Sequence, residues 1–182
     1  MIRWRRSPTE TTIDGLYGTI VAQARLPVFY TAFGVADTVE GRFEMIVLHL
    51  ALVARRLARD PTMQPLASAL FARFCRDLDH NLREMGVGDL TVPKKMQGFA
   101  AAYFGRARAY DRALAGGDRE ASAAAIARNV LGLAAPSAGA RRLAHYMEQA
   151  ADVLDALDAS EISQARLRFP DLVSEPAATA VA

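Results

Sequence analysis

The chain has 182 residues, of which 52% are hydrophobic and 23% are charged, with a formal net charge of +2. This composition is sufficient to bury a core, and it excludes a disordered protein. The single cysteine, Cys75, excludes an internal disulfide framework and a thiolate zinc site, and it fits a reducing compartment. The net charge is too small to indicate DNA as a partner.

The sequence predicts a protein without a membrane span. The longest apolar stretch covers residues 45–54 and contains His49, whereas a span needs about 20 residues. The basic start at residues 1–6 is followed by no apolar run, so an export signal is not expected. We therefore expect a cytoplasmic protein, with peripheral attachment at the inner face of the membrane as the alternative.

Helical periodicity extends over almost the whole chain, which is rich in alanine, leucine and arginine. It predicts an all-α fold, a single compact domain of about six to eight helices over residues 13–170. A flexible basic segment is expected at 1–12 and a disordered tail at 171–182. In chain order, the helices are expected at about 13–25, 27–33, 39–59, 66–84, 91–116, 118–133, 136–157 and 160–169.

Local signals set the ends of these helices. Thr38, Asp118 and Ser160 are predicted N-caps, and Gly86 is expected to end the helix before it with a positive φ. The turn at 85–92 is expected to be ordered. The predicted core includes Leu50, Leu70, Phe74, Leu78 and Tyr103.

The helix at 39–59 carries apolar residues on two opposite faces. Phe43, Leu50 and Leu57 lie on one face, and Met45 and Leu52 lie on the other. A helix of this kind is usually buried on both sides, so we expect it at the centre of the domain. The alternative is that one of its sides covers a partner.

The densest polar cluster covers residues 76–84. Asp77, His80 and Glu84 share one helix face and offer three ligands for a metal. The simpler interpretation is a salt-bridged surface, with Asp79 paired to Arg83 and His80 to Glu84 at i,i+4. The sequence contains no phosphate-binding loop, nucleophile elbow or zinc-protease helix.

A series of short motifs then points to a known family. The series is LY at 16–17, QAR at 23–25, DTVEGRF at 37–43, DLDHNLREMGVGD at 77–89, VPKK at 92–95, YFGR at 103–106 and ARNV at 127–130. In this order, and over residues 14–132, the chain resembles the ubiquinol–cytochrome c chaperone family.

The resemblance implies a non-catalytic chaperone rather than an enzyme. Mitochondrial members of that family assist the assembly of respiratory complex III, bind newly made cytochrome b, and work at the ribosome exit with a small helper protein. For this chain, the resemblance implies nascent or unassembled cytochrome b as the partner and no metal or cofactor. The ribosome and the membrane surface are further candidate partners, and a helper protein stays an open question.

A contact surface for the client is expected around the helix–turn–helix from 77 to 106. Within it, Arg83 is expected to pair with Asp79, and Arg106 or Lys94 with Asp89. The predicted contact residues are Arg42, Asp77, Asp79, Arg83, Glu84, Asp89, Lys94 and Arg106, with Phe43 or His49 near the apolar part.

Two alternatives remain open at this point. One is a soluble helical binder of a small apolar ligand, a quinone or a lipid. The other is a helical enzyme that holds a metal with Asp77, His80 and Glu84. His49 itself lies in an apolar helix, where a hydrogen-bonded core histidine is more common than a ligand or a base.

Overall fold

The computed structural model describes the backbone of residues 8–172 and side chains from residue 10 onwards. Within this part of the chain there are eight α-helices, one short 3-10 helix and no strand, so the all-α prediction is confirmed. The helices are α1 (Pro8–Ala24), α2 (Pro27–Thr31), α3 (Val39–Ala58), a 3-10 turn (Pro61–Met63), α4 (Gln64–Glu84), α5 (Val92–Gly116), α6 (Arg119–Asn129), α7 (Ala138–Asp155) and α8 (Ala159–Ser163).

Side-chain caps and glycines set several helix ends as the sequence predicts. The Thr38 hydroxyl accepts a hydrogen bond from the Gly41 amide at 3.1 Å, and the Asp118 carboxylate accepts two from the first turn of α6. Gly86 has a φ of +77°, which confirms its predicted left-handed conformation after α4. Gly41 also has a packing role, because a Cβ there would lie 2.0 Å from the Ala36 carbonyl oxygen.

The termini of the helical region differ from the prediction. Helix α1 begins at Pro8, so residues 8–12 are helical rather than flexible, and residues 1–7 lie outside the described part. Helix α6 ends at Asn129 because Gly132 turns the chain with a φ of +64°. Helix α8 begins after Asp158 rather than Ser160 and is only five residues long. Leu172 packs on the core, while residues 173–182 of the predicted tail lie outside the described part.

Helix α3 lies at the centre of the domain, as its two apolar faces predict. It packs against α1, α4, α5 and α7. Its buried residues include Met45 and Leu52 on one side and Leu50 and Leu57 on the other. Of the five predicted core residues, Leu50, Leu70, Phe74 and Tyr103 are buried, whereas Leu78 is half-buried at the edge.

Aromatic side chains join α3, α4 and α5 into one layer. The Phe43 ring lies 5.0 Å from the Phe99 ring and 6.2 Å from the Phe74 ring, centroid to centroid. The Phe71 ring lies 4.8 Å from that of Tyr103. These contacts fix α4 and α5 side by side as a helical hairpin against α3. None of the helices within residues 8–172 is long and apolar enough to cross a bilayer.

Candidate client-binding surface

The predicted contact residues separate into partners of the fold and exposed side chains. Asp77 belongs to the first group. Its carboxylate accepts a hydrogen bond from the Tyr17 hydroxyl at 2.9 Å and lies 3.6 Å from the Arg73 guanidinium. Burial raises the pKa of Tyr17 above its usual value, and the negative charge of Asp77 adds to this increase. Asp77 therefore holds α4 to α1.

Arg106 also belongs to the fold. Its guanidinium forms a bidentate ion pair with the Glu44 carboxylate, and both side chains are largely buried between α5 and α3. Burial raises the pKa of Glu44, although Arg106 opposes that shift. The expected pairing of Arg106 or Lys94 with Asp89 is wrong, because Asp89 pairs with Arg83.

His49 lies fully inside the core and not at the edge of a surface. Its ring is 0% exposed, with the Nδ1 atom 2.7 Å from the Met45 carbonyl oxygen and the Nε2 atom 2.7 Å from the Tyr146 hydroxyl. A partner cannot reach this ring without opening the core. The position agrees with a hydrogen-bonded core histidine and removes His49 from the contact surface.

Phe43 and Arg42 lie next to each other at the start of α3 but differ in exposure. Phe43 is half-buried, and its ring packs against those of Phe74 and Phe99. Arg42 is exposed and donates to the Asp37 carboxylate at 2.7 Å. This hydrogen bond lowers the pKa of Asp37.

The remaining predicted residues meet at the end of the α4–α5 hairpin. Arg83 donates to Asp79 at 2.7 Å, as predicted, and also pairs with Asp89 across the turn. The hydrogen bond from Arg83 lowers the pKa of Asp79. Glu84 lies 3.1 Å from the His80 ring, and Lys94 is exposed on the first turn of α5.

The metal hypothesis has no support in this geometry. Asp77 is turned to Tyr17 and Arg73, while His80 and Glu84 pair with each other on the surface. Across the residues that the structure describes, no group of three or more histidine, cysteine or acidic side chains is placed to hold a metal ion.

Sequence reasoning missed an open groove between α3 and α5. Its volume is about 800 Å³, its floor is made mostly of alanines, and Phe104 stands in it with 50% of its surface exposed. Arginines and an aspartate form the rim, where the Arg55 guanidinium lies 3.3 Å from Asp111. The lining residues are Ala51, Ala54, Arg55, Ala58, Arg59, Phe104, Ala107, Arg108, Asp111 and Ala115. We call this feature the α3–α5 groove.

A signal for the groove was present in the sequence. The core residues of α5 recur at 99, 103, 107, 110 and 114, and Phe104 falls outside that series. An aromatic residue out of phase with the core series indicates an exposed apolar site. The alanines carried no such signal, because alanine is common on both buried and exposed helix faces.

Comparison with known proteins agrees with this architecture. The family model described as ubiquinol–cytochrome C chaperone matches residues 31–169. The chain belongs to the ubiquinol–cytochrome c chaperone family. Its fold is also similar to the crystal structure of a Cbp3 homologue from Brucella abortus, with 36% identity, a TM-score of 0.81, and coverage of 90% of this chain and 91% of that one. No curated protein matches the chain in sequence.

The match to the ubiquinol–cytochrome c chaperone family includes α3 through α8. It therefore covers the α3–α5 groove and the whole α4–α5 hairpin. The motif series quoted above begins earlier, at residue 16 on α1, and the matched residues continue beyond its end at 130.

Proposed function

We propose that this protein is a non-catalytic assembly chaperone for ubiquinol–cytochrome c oxidoreductase, respiratory complex III, and that its client is newly made or unassembled cytochrome b. Membership of the ubiquinol–cytochrome c chaperone family is the observation that carries the proposal. The proposal places the protein in the cytoplasm, at the inner face of the membrane where ribosomes deliver the client. It assigns the chain no catalytic step, metal or cofactor.

The α3–α5 groove is the proposed binding site for an apolar client helix. Its alanine floor lets another helix approach closely, and Phe104 offers a partly exposed ring for that helix to cover. The groove is an open surface feature and not an enclosed cavity, which suits a helix better than a small enclosed ligand such as a quinone. The open shape therefore favours a protein client over the small-ligand alternative.

The exposed face of α5 extends this binding site towards the α4–α5 turn. Gly98 and Gly105 lie on that face, and a Cβ at either position would meet nothing within 4 Å. Ala101, between them, is also exposed. A client helix can therefore lie close to the α5 backbone, with its polar end next to the exposed charges of the hairpin.

Those exposed charges form the proposed polar rim of the client-binding surface. They remain on the surface after Asp77, Arg106 and His49 are assigned to the fold. The rim consists of the exposed Arg42, Arg83, Glu84, Asp89 and Lys94 and the half-buried Asp79, with the half-buried Phe43 beside it.

Photo-cross-linking in the native cell tests this proposal. A photoreactive phenylalanine analogue at position 104 should cross-link to cytochrome b, and one at the exposed control position Gln149 on α7 should not. Ala58→Trp fills the groove and should reduce the cross-link at 104 severalfold. Ala121→Trp, at an exposed alanine on α6, should leave it unchanged. Equal yields of cytochrome b adduct from positions 104 and 149 would refute the groove as the binding site.

A further inference from the structure

The turn that joins α4 to α5 exposes two large apolar side chains. Leu90 is 98% exposed and Met85 is 66% exposed. We call residues 85–92 the hairpin tip. Leu82 and Val92 anchor its base, since both are buried. Two bulky apolar side chains held in water at one place indicate a surface that meets an apolar partner.

Backbone hydrogen bonds fix the conformation in which Leu90 and Met85 are exposed. The Val87 amide donates to the Leu82 carbonyl at 3.0 Å, and the Thr91 amide donates to the Gly88 carbonyl at 2.8 Å. Gly86 takes the left-handed conformation that closes α4. The backbone bonds therefore hold Leu90 and Met85 outwards instead of letting them fold back onto the domain.

The hairpin tip has open space around its two glycines. A Cβ at Gly86 or at Gly88 would meet nothing within 4 Å. An open turn has no walls to grip a peptide or a helix. It fits a partner that deforms around it, as the interfacial region of a lipid bilayer does.

Two exposed lysines beside the hairpin tip can meet an anionic surface. Lys94 and Lys95 are the only lysines in the chain, and both are exposed one turn after the tip. Among residues 10–172 neither lysine has a carboxylate within 4 Å. The neighbouring carboxylates have partners of their own, since Asp79 and Asp89 pair with Arg83 and Glu84 lies 3.1 Å from the His80 ring. The two lysine charges are therefore free to meet lipid phosphates.

We propose that the hairpin tip binds anionic membranes by inserting Leu90 and Met85 among the lipid headgroups, with Lys94 and Lys95 on the phosphates. This attachment uses the turn and not the α3–α5 groove, and it shares only Asp89 and Lys94 with the proposed polar rim. It gives a chain with no spanning helix in residues 8–172 a means of staying at the bilayer.

Fluorescence of a labelled tip tests the insertion directly. In a Cys75→Ala background, Leu90→Cys carries an NBD group, and Leu133→Cys is the matched control at a leucine that is 40% exposed between α6 and α7. With vesicles of phosphatidylglycerol and phosphatidylcholine, the label at 90 should shift to the blue and brighten. The label at 133 should not change. If the fluorescence of the label at 90 did not change with vesicles, the proposal would be wrong.

Vesicle co-sedimentation of the unlabelled protein, without client, supplies the second measurement. Leu90→Asp should weaken partitioning roughly tenfold, because it removes a leucine from the interface. Leu133→Asp should not weaken it. Lys94→Gln/Lys95→Gln should weaken binding to anionic vesicles roughly tenfold, and high salt should have the same effect. Equal binding by Leu90→Asp and Leu133→Asp, or a tip that cross-links to cytochrome b but not to vesicles, would contradict lipid as the partner.

Discussion

His49 is the residue whose environment has the clearest chemical consequence. A carbonyl oxygen only accepts, so the Nδ1 atom that faces Met45 must carry the proton, and the Nε2 atom accepts from the Tyr146 hydroxyl. The Tyr146 oxygen in turn accepts from the Gln23 amide at 3.1 Å. This chain of hydrogen bonds is complete only with a neutral imidazole. Burial accordingly lowers the pKa of His49 to about 4.

Acid should destabilise the protein through this residue. Between about pH 6.5 and pH 4 the unfolded chain binds a proton on His49 that the folded protein does not, so stability falls as the pH decreases through that window. From pH 7 to pH 5 the loss should be about 2 kcal/mol. Urea unfolding at both pH values measures it. His49→Gln should lose this component and the exposed control His80→Gln should keep it; identical pH dependence in wild type and His49→Gln would contradict the account.

Gly86 and Gly88 lie in the same turn but differ in the backbone strain that an alanine would cause. Gly86 has a φ of +77°, whereas Gly88 is not in the left-handed region, and neither has a neighbour that a Cβ would strike. Gly86→Ala should therefore lower the free energy of unfolding by about 1 kcal/mol or more through backbone strain alone. Gly88→Ala should not incur this strain. Chemical denaturation of both variants checks the prediction, and a Gly86→Ala protein as stable as wild type would refute it.

At the scale of the elements, α3, α4 and α5 depend on their shared aromatic layer. Phe74 is 1% exposed and lies between Phe43 and Tyr103. Phe74→Ala should lower the free energy of unfolding by about 3–5 kcal/mol, because it leaves a cavity where the three helices meet. Phe104→Ala is the control, since that ring is 50% exposed and should contribute much less. Equal losses in denaturant titrations would show that the layer is not the core.

The ion pairs at the end of the α4–α5 hairpin should affect client binding without affecting folding. The Asp79 side chain is 39% exposed and that of Arg83 is 48% exposed, so solvent screens their interaction. Asp79→Ala/Arg83→Ala should unfold close to the wild-type midpoint yet reduce cross-linking to cytochrome b. Glu120→Ala/Arg141→Ala removes a more exposed pair between α6 and α7 and should leave cross-linking intact. Loss of cross-linking in both double variants would indicate a general effect of surface charge and not a polar rim.

Periodicity predicted most of the helices and the central position of α3, but not which side chains meet between helices. The apolar series on α3 and α4 and the caps Thr38 and Asp118 are local signals, and they placed those elements correctly. The partner of Arg106 could not be found in this way, because Glu44 is 62 positions away and meets it only when α3 packs on α5. Phe104 carried a local signal for the α3–α5 groove, but the alanines that line it come from two helices and carried none.

At the scale of the whole molecule, the structure separates folding from recognition. The central helix, the aromatic layer and the His49–Tyr146 bond lie inside the domain. The α3–α5 groove, the polar rim and the hairpin tip lie on the outside of α3, α4 and α5. A client helix in the groove and a lipid surface at the tip would occupy different parts of the hairpin. One protein could then hold a membrane-protein segment next to the bilayer that receives it.

The lifetime of cytochrome b in cells that lack this gene is the most direct test of the central claim. A pulse–chase measurement should show faster loss of newly made cytochrome b and less assembled complex III than in the parent strain. The wild-type gene should restore both, and Ala58→Trp should restore them only in part. Unchanged cytochrome b turnover and unchanged complex III after deletion would contradict the chaperone assignment for this protein.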